Sequence, residues 1–151
     1  MVAPAFTLCE SGSTESSAVL YDSGNPMQFL NVDKGIPSDI LTVDLWNDRT
    51  GSEGSDTAIA PLVYALNDDD ISAVFAGTTI NGFQSMLECR SCLGYNTPGD
   101  LQTAWTPISP TSLLTIGDMP AGSKRTLEFR LNPPVDAPTL TLKTFTIMVS
   151  A

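Results

Sequence analysis

The sequence predicts an all-β protein, an antiparallel two-sheet β-sandwich, and three observations carry that prediction. Ser123–Leu131 and Leu142–Val149 alternate apolar and polar residues in strict period two. Leu127, Phe129 and Leu131 stand against Thr126, Glu128 and Arg130; Phe145, Ile147 and Val149 stand against Thr144, Thr146 and Met148. Such a strand sets one face in a core and the other toward solvent. Between the two runs, Asn132-Pro-Pro-Val-Asp-Ala-Pro138 can neither continue a ladder nor form a helix. Helical periodicity is nearly absent: 11 prolines and 11 glycines are spread along the chain, and short apolar runs recur roughly every 10–15 residues with turn signals between them.

The elements follow in order. Ala5–Cys9 reads as a short first strand, and Glu10–Ser17, rich in Ser, Gly, Thr and Glu, as a loop or flexible connection. Ala18–Tyr21 is a second short strand and Met27–Val32 a third, closed by a turn over Asp33–Ser38. Ile40–Asn47 is a strong strand with Leu41, Val43 and Leu45 on one face and Thr42, Asp44 and Trp46 on the other. A polar Gly/Ser loop, Asp48–Asp56, leads to a strand over Ala58–Asn67, which Asp68, Asp69 and Asp70 close. Ala73–Gly77 and Gly82–Ser91 are further strands, with a turn region over Leu93–Asp100. Leu101–Pro107 and Ser112–Ile116 are short strands, and Gly117–Gly122 is a turn before the two C-terminal strands. Residues 1–25 fit the sandwich least well, so the expected division is an N-terminal arm or edge strands over 1–25 and a sandwich domain over 26–151. An extended arm of this kind can supply a strand to a neighbouring subunit.

A length of 151 residues suits one domain with a real core. Apolar content of 42% fits a folded, soluble chain, and no run approaches the roughly 18–20 apolar residues of a membrane span. The opening residues have no basic start and only a short apolar stretch, so synthesis in a cytoplasm without Sec-type export is expected. The net charge of −10 is uneven: residues 1–70 hold 12 acidic and 2 basic side chains, residues 71–151 hold 5 and 5. Clustered Lys and Arg for phosphate contacts are missing, which argues against nucleic-acid binding. The acidic half reads as a self-repelling, solvated surface or as a face for a basic partner.

Cys9, Cys89 and Cys92 are an odd count, which argues against a complete disulfide framework. Cys89 and Cys92 form a lone C-x-x-C without the four ligands of a zinc site, and no helix follows to make a redox pair. Buried or partly buried free thiols are the expectation.

Phe29-Leu-Asn-Val32, then Gly35 and Ser38, then Leu45-Trp-Asn-Asp48, resembles the opening of immunoglobulin-like β-sandwich domains. Met119–Gly122 before Arg125–Leu131, and a closing strand like Phe145–Val149, are similar to the same family. The resemblance covers about two thirds of the chain. Stand-alone copies of this length look like small virion proteins of tailed bacteriophages, used as capsid decoration (cement) or tail-associated parts. The resemblance implies a virion location, the major capsid protein or other virion subunits as partners, a homo-oligomer, no cofactor and no catalytic residues.

The residues agree with a non-enzymatic reading. The chain has no histidine, which removes Ser-His-Asp, Cys-His and H-E-x-x-H arrangements. Gly51-Ser-Glu-Gly54 lacks the lysine and following helix of a phosphate loop. Asp68–Asp70 are consecutive, so they splay rather than converge for glycoside hydrolysis. Calcium is the better use of carboxylates, through Asp48, Glu53, Asp56, Asp68, Asp69 and Asp70 if their strands pair as a hairpin; a solvated turn is the plainer reading. Trp46, Trp105 and Tyr95 are interface or ligand candidates, alongside Tyr21 and Tyr64. The rival function is therefore a carbohydrate- or surface-binding module using exposed aromatics.

Overall fold

A computed structural model describes residues 3–12, 20–22, 24–33, 35–51, 54–67, 86–97, 99–133 and 140–151. Among these the protein is all-β, with two antiparallel sheets and no helix. The strands are β1 (Phe6–Glu10), β2 (Met27–Val32), β3 (Leu41–Asn47), β4 (Leu62–Asn67), β5 (Leu87–Ser91), β6 (Thr106–Pro107), β7 (Leu114–Thr115), β8 (Lys124–Leu131) and β9 (Leu140–Ser150). One sheet runs β1-β3-β8-β5-β6 and the other β2-β9-β4-β7. No helix of the described residues is long and apolar enough to cross a membrane.

The period-two alternation places the core. Val43, Leu45, Leu87, Cys89, Leu127, Phe129 and Leu131 from the first sheet are fully buried, and Met27, Phe29, Val63, Ala65 and Phe145 meet them from the second. Phe29 and Phe145 pack edge to face, with centroids 5.8 Å apart. Each large aliphatic or aromatic residue removed from water contributes about 1.5–3 kcal/mol, so these two layers supply most of what holds the sandwich together. In β9 the inward Phe145 is buried while Ile147 and Val149 are only half-buried, because β2 pairs with Leu140–Phe145 and leaves that flank beyond Phe145 unpaired by a named strand.

Residues 6–10 are not apart from the sandwich: β1 is an edge strand paired with β3 from Phe6↔Asn47 to Glu10↔Val43. The chain then folds back on β1, where Tyr21 N donates to Leu8 O at 2.9 Å and Leu20 forms a bridge with Cys9. Of the strand expected over Ala18–Tyr21, Leu20 and Tyr21 are described and make these contacts, while Ala18 and Val19 lie outside the described residues. Ala58 likewise makes only a bridge, to Met119, and β4 begins at Leu62. Leu101 bridges Cys92, and pairing resumes only at Thr106–Pro107; a proline is tolerated there because β6 is an edge. The strand expected over Ala73–Gly77, the start of Gly82–Ser91 and most of the Pro-rich crossing lie outside the described residues.

Candidate interaction surfaces

The outward face of the five-stranded sheet carries the two tryptophans. On β8 the outward residues are Lys124, Thr126, Glu128 and Arg130, and on β5 Glu88 and Arg90 lie in register with Arg130 and Glu128. Opposite charges directly across strands stabilise the pair: Arg90 Nε donates to Glu128 Oε1 at 2.7 Å and Arg130 Nε to Glu88 Oε1 at 3.0 Å. Trp105, half-buried before β6, lies against both guanidinium groups, at 4.4 Å from Arg90 and 4.2 Å from Arg130. Trp46 pairs with Lys124 across β3 and β8, with the ammonium 5.4 Å from its ring. Both indoles are thus engaged with cations of their own chain. Both rings are half-buried. Tyr95 differs: it is 46% exposed, with Leu93 at 61%, on the turn after β5.

Asp44 was expected on the solvent side of β3, and its direction is as expected, but it is buried to 1% exposure. The segment after β1 turns across it. Gly12 N donates to Oδ2 at 3.2 Å, Ser11 Oγ to Oδ1 at 3.4 Å, Thr126 Oγ1 to Oδ1 at 3.0 Å and Lys124 Nζ to Oδ2 at 3.2 Å. Four donors, one of them the Lys124 ammonium, meet the requirement for burying a carboxylate, and those from Ser11 and Gly12 fasten the N-terminal segment to the sheet.

One end of the sandwich is organised by Asn47 and Arg125. Asn47 is fully buried; its Nδ2 donates to Asp56 O and Met119 O, each at 2.9 Å, and its Oδ1 accepts from Ala5 N at 3.2 Å. The Met119–Gly122 turn closes against it, with Gly122 N donating to Asn47 O at 2.7 Å. Gly122 adopts φ 77°, where a side chain is strained. Arg125 points inward in the same phase as Leu127 and donates to Cys92 O at 2.9 Å and Asp118 O at 3.3 Å. Its guanidinium fills the space over Gly117, where a side chain would collide with it.

Of the six carboxylates weighed for calcium only Asp48 and Asp56 are described, and among the described residues no three His, Cys, Asp or Glu side chains gather. Asp48 is buried at the end of β3 and Asp56 is exposed; Glu53, Asp68, Asp69 and Asp70 lie outside the described residues. All three cysteines are free and buried. Burial pushes the Cys89 thiol well above its ordinary 9.0, with Glu128 acting in the same direction. Burial also raises Cys9, opposed by Arg49 and aided by Asp44. Burial, then Glu10 and Cys9, raises the Tyr21 hydroxyl.

An acid whose folded pKa exceeds its unfolded value contributes stability that is complete below the unfolded value and is lost as pH rises through the folded one. Urea midpoints are therefore expected to hold steady up to about pH 9 and to fall above it. Cys89→Ala should flatten that fall, and Cys89 in the folded protein should resist maleimide at pH 7.5. Rapid labelling of Cys89 under native conditions would contradict its burial.

A second surface escaped the sequence reading. Leu30, Ile36 and Ile40 line a groove of about 430 Å³ at the crossing from β2 to β3. The apolar residues Ile36 and Ile40, set among Gly, Pro, Ser and Asp of a turn, were the available signal. No protein-family model, curated protein or solved structure matches the chain.

Proposed function

We propose that this chain is a non-enzymatic structural protein, an immunoglobulin-like sandwich of a tailed-bacteriophage virion that binds neighbouring capsid subunits as a decoration component. A tail-associated place is the second position for the same activity. The observation that carries the reading is the partition of charge. Among the residues whose side chains are described, every exposed charged group is acidic: Glu10, Asp22, Asp33, Asp39, Asp56, Asp100 and Asp118. Arg90, Lys124, Arg125 and Arg130 are turned onto their own sheet or into the sandwich end. Such a surface steers toward basic protein surfaces and repels phosphates. The family likeness adds support, since the Leu45–Asp48 segment and the Met119–Gly122 turn, which carry it, are joined through Asn47.

A rigid scaffold repeated over a symmetric particle converts modest contacts into high avidity. The test is deletion of the coding sequence followed by particle purification. Particles without the chain are expected to assemble, to lose a peripheral density by negative stain and to recover it when purified protein is added back. Absence of the chain from purified wild-type particles by mass spectrometry would overturn the reading. So would glycan binding that is lost in Tyr95→Ala.

A further inference from the structure

The groove beside β2 has features that the sandwich itself does not require. Its lining runs along β2 from Gln28 to Val32 and returns through Ile36 to Leu41. Leu30 is 65% exposed, Ile36 59% and Ile40 47%. Scattered exposed aliphatics are ordinary, but three lining one concavity form a patch of the kind that marks contact sites. The groove is pre-formed. Gly35 N donates to Pro133 O at 3.0 Å and Ser38 N to Leu131 O at 2.8 Å, while Ser38 Oγ accepts from Leu131 N at 2.8 Å. These bonds fasten the return loop to the end of β8, so a ligand does not bear the cost of ordering it.

The occupant follows from charge and from the edge. β2 is an outer strand of its sheet, and Asp33 and Asp39, both exposed, stand in the groove's lining; Lys34 lies outside the described residues. A second copy of this chain would bring the same acidic surface and be repelled, as would a nucleic acid or an anionic membrane. Asn31, at φ 50°, breaks the extended edge after Leu30, which limits strand addition and leaves recognition to side chains in the groove.

We propose that this groove docks an extended segment of a partner protein that seats an aliphatic side chain among Leu30, Ile36 and Ile40 and sets lysine or arginine beside Asp33 and Asp39. The proposal rests on the reading of the chain as a contact protein and adds where contact occurs and with what chemistry.

The test is titration of the full-length ¹⁵N-labelled protein with a ten-residue peptide alternating lysine and leucine, with all-lysine and alternating glutamate–leucine peptides as comparisons. The lysine–leucine peptide is expected to shift amides within residues 28–41 and to bind at least about tenfold more tightly than either comparison. Leu30→Ser with Ile36→Ser should weaken it about tenfold, Asp33→Asn with Asp39→Asn several-fold, and raising NaCl from 50 to 300 mM should weaken it further. All four positions are exposed, and an unchanged far-UV spectrum confirms that each variant folds. Shifts centred elsewhere, equal binding of the all-lysine peptide, unaltered affinity of the double variants or no binding at all would overturn the proposal. The particle experiment is independent of these outcomes: groove variants that still decorate particles sink the groove alone, whereas a chain absent from particles sinks the virion reading and leaves the groove to be judged by the titration.

Discussion

Asn47→Ala is expected to lower the free energy of unfolding by about 3–5 kcal/mol, measured by urea denaturation followed by circular dichroism. The side chain is fully buried and holds three backbone groups from three separate segments: Ala5 N, Asp56 O and Met119 O. Removing it takes this partner from Ala5 N and Asp56 O, whose bonds are part-buried, and leaves Met119 O with only its bond from Ala58 N; each group so deprived costs about 1–3 kcal/mol. Asn47→Asp should be no better, because a carboxylate would face two carbonyl oxygens in place of two N–H donors. Asn25→Ala, which removes one bond from Nδ2 to Leu20 O on the exposed surface, is expected to cost under about 1 kcal/mol. Equal losses at Asn25 and Asn47 would show that the buried hub does not hold the sandwich end.

Phe129→Ala is expected to cost about 3–5 kcal/mol by the same measurement. Phe129 is fully buried at the centre of the five-stranded sheet, in register with Leu41 on one side and Cys89 on the other. Truncation removes a large ring from strands hydrogen-bonded on both sides, which cannot close over the void. Phe129→Leu keeps more of the apolar volume and should cost well under that. Leu113→Ala, at a position 42% exposed, should change stability by less than about 0.5 kcal/mol. A small effect at Phe129 would mean that the two layers do not meet there.

The two-layer architecture was legible because its main signal is local. The alternation in β8 and β9 reports a pleat with one dry face, and each reading matched a strand to within two residues. What escaped depends on partners far along the chain. Asp44 has the phase of an exposed residue, but the turn at Ser11–Gly12, more than 30 residues earlier, crosses it, and Thr126 and Lys124 on β8 donate to it. Arg125 has the phase of a core residue and is accommodated only because the carbonyls of Cys92 and Asp118 reach it. Trp105 stands out in the sequence as an aromatic in the short strand expected over Leu101–Pro107, but its two cationic neighbours come from β5 and β8. Tyr95 kept the exposure that a surface role needs. The groove at Leu30 is not local to one element: Met27–Val32 reads as a strand and Asp33–Ser38 as a turn, and the concavity belongs to both together.

The order of strands has a kinetic meaning. β8 and β9 come after all the others, yet each sits inside its sheet, β8 between β3 and β5 and β9 between β2 and β4. On a translating ribosome, β1 can pair with β3, β5 with β6 and β4 with β7, but β3 and β5 still lack β8 between them and β2 and β4 lack β9, so neither layer is complete until the chain beyond Lys124 is released. Closing such sequence-distant pairings is slow. During that interval the nascent strands present open, sticky flanks, and the strong like charge of the first 70 residues sets neighbouring nascent chains to repel one another.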